Sequence, residues 1–319
     1  MTYYMKYDIR IGSYKVNTLK SVSVKRSVEQ LSDTATIVLP GTLVNEALEV
    51  NDKIKRGDAV SIDLGYDGYM NHEFSGYVKS INTDDNDIRI ECEDELYMLD
   101  VSIKNNEYNS VGLKQLLFNV ILQINPNYRI ECDYAFTYSK FTIHNATALD
   151  VLKKIQDETK ANIYFDGSTL HVHPQYGDGS WSGKLVRYDM SVNVVSANLK
   201  YRRASDEKVK VEISIQDKNG NATTSSFGDD GGKVIKKVVQ AADQSAANSL
   251  AKNEYNLWCY DGYEGDLTGW LIPYCSPTDK VEIKDATKQY KNGVYYVVAT
   301  EVRFDSSGGR RIVGIGRKV

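Results

Sequence analysis

The chain lacks several features that would fix its class at once. No apolar run approaches the roughly 18 residues a membrane helix needs, so no membrane insertion is expected. The N-terminus, Met1 to Asp8, has no basic segment followed by an apolar one, which predicts no secretory leader and a protein made in the cytoplasm. Only four cysteines occur in 319 residues. Cys92, Cys132, Cys259 and Cys275 form no C-x-x-C pair and read as buried small apolar residues, not a disulfide framework. There are four histidines and five prolines, and so few histidines narrow the room for Ser-His-Asp or Cys-His chemistry. A basic surplus is also missing. Lys and Arg total 39 against 43 Asp and Glu, a net charge of −4, which argues against a dedicated, sequence-specific nucleic-acid binder. Neither G-x-x-x-x-G-K-S/T nor G-x-G-x-x-G occurs.

What remains is an ordinary globular composition, 41% hydrophobic and 26% charged, with 23 tyrosines. The length suits about two domains of roughly 150 residues. The dominant pattern is period-two alternation. Strands are expected in two runs within 18–39, then at 59–64, 74–81 and 87–92, with short turn-rich connections, and Pro40-Gly41 marks a turn. Near residue 110 the period lengthens. Val111, Leu116, Leu117, Val120, Ile121 and Ile124 fall on one helical face, with Ser110 as the cap and Pro126 as the stop. A second helix starts at Thr147-Ala148-Leu149-Asp150, a capping-box pattern, and ends near Lys160. A hairpin follows, with Asp166-Gly167 as its turn. The Gly/Ser-rich interval 177–183 marks a boundary. Beyond it, strands are expected at 192–202, 208–216, 280–283, 294–304 and 311–315. A mobile polar loop is expected at 217–233 and a third helix at about 241–257.

One pattern occurs twice. Asp58-Ala59-Val60-Ser61-Ile62, a turn, and Phe74-Ser75-Gly76-Tyr77-Val78 are echoed by Asp279-Lys280-Val281-Glu282-Ile283, a turn, and Gly293-Val294-Tyr295-Tyr296-Val297. The echo predicts a β domain present in two copies.

Residues with chemical potential are few. Glu91, Glu93 and Glu95 alternate on one strand face; paired carboxylates of a glycosidase would have to face one another across a cleft, and a solvated strand end explains these better. His171 and His173 share a strand face, half of a metal site, but Asp166, His144 and the cysteines stand at no recognised ligand spacing. Asp84-Asp85-Asn86-Asp87 lacks the Gly and Glu of a calcium loop and reads as a hairpin tip. Gly228–Gly232 and Ser306–Gly309 are turn chemistry. No catalytic, cofactor-binding or metal residue is expected, and no cofactor.

The ordered set Ile54 to Ile62, Phe74 to Val78 and Ile88 to Leu99, then Ala146 to Leu152 and Ala161 to Val172, then Gly269-Trp270-Leu271-Ile272-Pro273, Val281 to Ile283 and Gly293 to Val297, resembles the tail hub proteins of contractile-tailed bacteriophages. These include the late control gene D family and its relatives in defective-phage particles. The likeness spans roughly residues 20–319. It departs at Pro277-Thr278-Asp279, where the family often has Pro-Gly-Asp. The resemblance implies a β-rich α+β chain in which two tube-type β-barrel domains, 1–104 and 181–319 (the latter with an inserted helix), flank a mixed α+β domain at 105–180. It also implies a non-enzymatic role in the virion tail or baseplate, assembled in the host cytoplasm. The implied partners are two further copies in a homotrimer, the hexameric tail tube, a trimeric spike and other baseplate proteins. Three chains with two barrels each would present six comparable surfaces to a six-fold partner. Tyr77, Tyr97, Tyr295 and Tyr296 would serve the ring interface or pack within the sheets. A hub of a secretion-type contractile injection device is the nearest alternative; a glycan-binding β protein and an enzyme are readings of other classes.

Overall fold

A computed structural model describes residues 4–41, 53–83, 87–175, 183–216, 222–239 and 244–319. The expected boundary at 177–182, the tip at 84–86 and the start of the third helix at 241–243 lie outside the described residues. Chain contacts form two compact units, Met1–Tyr97 with Trp181–Lys200 and Tyr263–Val319, and Met98–Ser180 with Tyr201–Gly262.

The first unit is one 13-stranded sheet built from two runs of the chain. Its first run holds β1 (Met5–Ile11), β2 (Tyr14–Lys15), β3 (Ser21–Ser27), β4 (Thr34–Pro40), β5 (Ala59–Tyr66), β6 (Tyr69–Thr83) and β7 (Asp87–Glu93). The alternation seen in sequence is realised directly: Ile88, Ile90 and Cys92 point inward from β7 while Arg89 and Glu91 point out. Strand β1 pairs β5 from Met5 to Ile11. Met5, Tyr7, Ile9 and Ile11 alternate there with Lys6, Asp8 and Arg10, a period-two run that the reading of the N-terminus passed over.

The second run, counted onward in chain order, contributes β13 (Leu185–Asp189), β14 (Val194–Arg202), β18 (Gly262–Gly269), β19 (Lys280–Lys284), β20 (Gly293–Asp305) and β21 (Gly308–Lys318). Neighbours run β1-β5-β6-β7-β4-β3 in the first set and β13-β19-β20-β21-β18-β14 in the second. Leaving aside the two-residue β2, both sets place their strands in the same non-sequential order. The sequence echo is thus a repeat of topology. Even the irregularities recur: the β6–β7 ladder slips between Val78 and Ser80, and the β20–β21 ladder between Val297 and Ala299. One difference is polarity, since β1 is antiparallel to β5 whereas β13 is parallel to β19.

Each repeat has its own hydrophobic cluster. Ile9, Ile37, Ile62, Leu64, Phe74 and Ile90 are central to the first, and Tyr188, Tyr263, Leu267, Val281, Val297 and Val313 to the second. The repeats join where β3 pairs the later half of β20, from Ser27 opposite Ala299 to Ser21 opposite Asp305. Val302 and Phe304 thereby enter the first cluster.

The second unit holds β8 (Asn106–Gly112), α1 (Leu113–Ile121), β9 (Arg129–Cys132), β10 (Thr137–Ile143), α2 (Ala148–Thr159), β11 (Ala161–Asp166) and β12 (Thr169–Pro174). It also takes β15 (Val209–Gln216), β16 (Ala222–Gly228), β17 (Lys233–Val239) and α3 (Gln244–Trp258), a segment that interrupts the second repeat between β14 and β18. The capping box forms as expected: Thr147 Oγ1 accepts from the Asp150 N–H and Asp150 accepts from the Thr147 N–H. The hairpin β11–β12 closes at Asp166-Gly167.

Three expectations need correction. Ser110 does not cap α1; Asn106–Gly112 is a strand paired to β10, and the helix begins at Leu113. Val111 suits either period, so the apolar spacing alone extended the helix too far. Of the expected loop at 217–233, residues 217–221 lie outside the described residues, and Ala222–Gly228 is a strand paired to β15; only Ser225 in it is buried, so its small polar residues give no apolar alternation to read. The chain is also not divided into three consecutive segments: 201–262 falls with the middle stretch. Within that unit Asn253 of α3 donates to Tyr134 Oη at 2.9 Å, and Tyr134 donates to the Thr159 carbonyl at 2.7 Å.

Candidate functional site

The residues singled out for chemistry do not converge. Glu91 and Glu93 stand on the outward face of β7, where Glu91 accepts from Ser80 Oγ at 3.0 Å and Glu93 from Lys79 Nζ. Glu95 lies on the 3-10 turn Glu95–Leu99 that follows. His171 and His173 do share the β12 face. His173 Nδ1 sits 2.6 Å from Asp133 Oδ1, its Nε2 3.4 Å from His171 Nδ1, and Tyr164 stacks on His171 with centroids 5.0 Å apart. Burial pushes the His171 pKa down, against the opposing pull of Glu131. These contacts fix the rings within the sheet. Among the described residues no group of three or more His, Cys, Asp or Glu side chains is placed to hold a metal ion, and no helix is long and apolar enough to cross a membrane.

Of the four tyrosines, Tyr295 is core, with its hydroxyl donating to the Lys291 carbonyl at 3.1 Å and its ring 5.2 Å from Tyr263. Tyr77 and Tyr97 stack on each other at 5.9 Å, and Arg56 donates to Tyr97 Oη at 3.1 Å. Tyr296 is partly buried in β20.

Two constructions emerge instead, both concerning how the repeats are held. The first is a corner made twice. Asp58 accepts the Lys55 N–H at 2.7 Å through Oδ2, and Asp279 accepts the Ser276 N–H at 2.8 Å through Oδ2. Each aspartate's carbonyl then accepts from a valine on the next strand, Val78 at 2.9 Å and Val297 at 2.9 Å. The residue before each aspartate has positive φ, Gly57 at 87° and Thr278 at 75°. This left-handed turn starts β5 and β19 alike, and glycine adopts it without strain where threonine does not.

The second is a buried ion pair at the junction. Arg311 of β21 donates to both oxygens of Glu73 of β6, at 2.6 and 3.2 Å, with side-chain exposures of 1% and 2%. Its remaining donors reach the Leu271 and Cys275 carbonyls, and the Tyr274 ring lies 4.8 Å from the guanidinium. Arg26 of β3 donates to the Glu73 carbonyl and, at 3.0 Å, to Tyr274 Oη. Burial pushes the Glu73 carboxyl up, while the Arg311 charge pulls it back. Glu73 and Arg311 carry no motif, so sequence reading missed them. The only signal was phase: Arg311 shares the inward face of β21 with Val313 and Ile315.

The sheet also leaves an edge. Strand β14 ends the strand order, bonded on one side to β18. Val192 and Val195 near it are 75% and 50% exposed.

No protein-family model and no curated protein matches the chain. Solved structures do. A tail protein from Neisseria meningitidis MC58 aligns over 98% of this chain and 96% of its own, at TM-score 0.69 and 12% identity. The 43 kDa tail protein of prophage MuSo2 from Shewanella oneidensis aligns over 98% and 97%, at 0.67 and 16%. A type VI secretion component from E. coli, itself described as similar to the T4 tail proteins gp27 and gp5, aligns over 98% and 76%, at 0.61 and 7%. At these identities the likeness is one of fold. The chain has the β-rich fold of phage tail and secretion-baseplate proteins.

Proposed function

We propose that this protein is a structural hub of a phage or phage-like tail, a homotrimer that joins the tail tube to the central spike. The repeated strand order carries the reading. Each run is read as one tube-type barrel, so three chains supply six equivalent barrel surfaces to a six-fold tube while keeping three-fold symmetry toward a trimeric spike. The end-to-end likeness to tail proteins supports this. The role is mechanical and non-enzymatic, in a late control protein D-like hub made in the host cytoplasm and built into the baseplate. The mild net charge of −4 suits a passage along which DNA slides without sticking.

A hub of a secretion-type contractile device is the second reading, favoured by the type VI component among the similar folds. The deciding experiment is solution mass by light scattering with negative-stain images of the largest species. A ring of three 35.9 kDa chains with a central hole supports the hub. A species that forms no closed ring under any assembly condition, including with its tube protein, overturns it.

A further inference from the structure

The histidine pair of β12 has no part in the hub role. Strand pairing sets it in particular company. Tyr164 of β11 and Glu131 of β9 lie opposite His171, and Asn162 lies opposite His173. Asp133, just beyond β9, reaches His173 from the same side. Asp166 shares this face of β11, opposite Thr169, and Arg129, two positions before Glu131, is the one cation these three strands place there. Three carboxylates against one guanidinium make the surroundings negative. Burial pushes the Tyr164 hydroxyl up, and Asp166, Glu131 and Asp133 push it the same way.

The nitrogens are spaced for an ion better than for a proton. A carboxylate only accepts, so the 2.6 Å contact with Asp133 puts the hydrogen of neutral His173 on Nδ1 and leaves a lone pair on Nε2. That nitrogen meets His171 Nδ1 at 3.4 Å, and the same Nδ1 stands 3.4 Å from Glu131 Oε2. One Nδ1 hydrogen thus faces two acceptors, both farther away than the roughly 2.7–3.2 Å of a good hydrogen bond. Two nitrogens on one tetrahedral zinc, each about 2.0–2.1 Å from the metal, stand about 3.3–3.4 Å apart. As placed, the side chains do not yet form a cage. The histidines supply the bite, and Glu131, with 67% of its side chain exposed, has room to turn in.

We infer that His171 Nδ1, His173 Nε2 and the Glu131 carboxylate form a binding site for a divalent cation of the zinc type, with water as the fourth ligand. Asp133 orients His173 through Nδ1, as a carboxylate does behind a metal-bound imidazole. The ion displaces the shared Nδ1 proton, which goes to solvent. It also ties β9, which is bonded only to β12, to that neighbour by a second kind of link. Glu131 is not among the third ligands that spacing suggests, because strand pairing brings it to His171. The site lies within one unit and stands whether or not the chain is a hub.

The test is calorimetric titration of the chelator-treated full chain with zinc chloride near neutral pH, with circular dichroism of each metal-free variant as the check on folding. Saturable binding of one ion per chain is expected, and His171→Ala and His173→Ala are each expected to abolish it. Glu131→Gln and Asp133→Asn, milder changes at more exposed side chains, are expected to weaken it about 10–100-fold. Affinity should fall as pH is lowered from about 7 to about 6, because protons compete for the same nitrogens. His72→Ala, which removes the exposed His72–Asp63 pair elsewhere, is the control and should bind as the parent does. Zinc should raise the melting temperature of the parent and leave that of His173→Ala unchanged. No saturable binding, binding that persists in either β12 variant, or binding lost equally in His72→Ala overturns the inference. If the β12 variants fail to fold, Glu131→Gln and Asp133→Asn decide it: parental affinity in both overturns the site, and weakened affinity in both upholds it.

Discussion

Asp58 and Asp279 are the same residue of the two repeats. Each carboxylate caps the N–H three residues back, each is preceded by a left-handed residue, and each carbonyl binds a valine at the bulge of the next strand. The corner starts the fourth strand of each repeat, so its geometry sets where β6 and β20 lie against their partners.

The two corners differ in one respect that is measurable. Thr278 holds φ at 75° with a β-branched side chain, whereas Gly57 holds 87° with none. Thr278→Gly is expected to raise unfolding free energy by about 1 kcal/mol, the strain relieved less glycine's added entropy in the unfolded chain. Gly57→Thr is expected to lower it by about 1–2 kcal/mol. Urea titrations of both variants check the pair; effects of the same sign would contradict the equivalence of the corners.

Breaking the Arg311–Glu73 pair should be costly. Arg311→Met leaves Glu73 buried with Arg26 as the main cation left near it, and Glu73→Leu leaves a guanidinium at 1% side-chain exposure without its carboxylate. Each single change is expected to cost about 3–5 kcal/mol. The double variant Glu73→Leu with Arg311→Met should recover part of that loss, because no charge is then stranded. A double variant as unstable as the sum of the singles would show that the two residues do not act as a pair.

Asp33 gives a pH signature. Burial pushes its carboxyl up to about 6 from the ordinary 3.8, against the pull of Arg26 3.5 Å away. Between those values the folded chain binds more protons at this site than the unfolded chain, so its contribution to stability falls as pH rises through the window. Asp33→Asn removes that slope. The variant should gain stability relative to the parent as pH is raised from about 4 to about 7, and a difference flat across that range would refute the assignment.

The thiols should divide by burial. Cys92 and Cys275 are 1% and 0% exposed, and burial pushes each thiol up to about 12. Neither should react with a chromogenic disulfide reagent until the chain unfolds. Cys132, which is only partly buried, is expected to label first in the native protein. Early labelling of Cys92 would mean that the first sheet opens locally.

Much of the local structure was legible because it depends on neighbours in sequence. Period-two runs located β5 to β7 and β19 to β21, Thr147 and Asp150 announced their capping box, and Asp166-Gly167 its hairpin. Failures came where one segment satisfied two patterns, as with Val111, or where small polar residues masked alternation, as in Ala222–Gly228. The repeat was visible as an echo at Asp58 and Asp279 because the corner needs particular residues at particular offsets.

The sequence by itself therefore determined the β-rich character, the three helical stretches and the presence of two similar halves, all of which follow from side-chain period and turn chemistry. Only the tertiary structure decided which strands neighbour which, that 201–262 leaves the second repeat for the other unit, and that Glu73 meets Arg311 across 238 positions. These depend on pairings between residues far apart in the chain. Long-range pairing leaves almost no trace in local pattern, because an inward-facing Arg reads as solvated until its partner is in place.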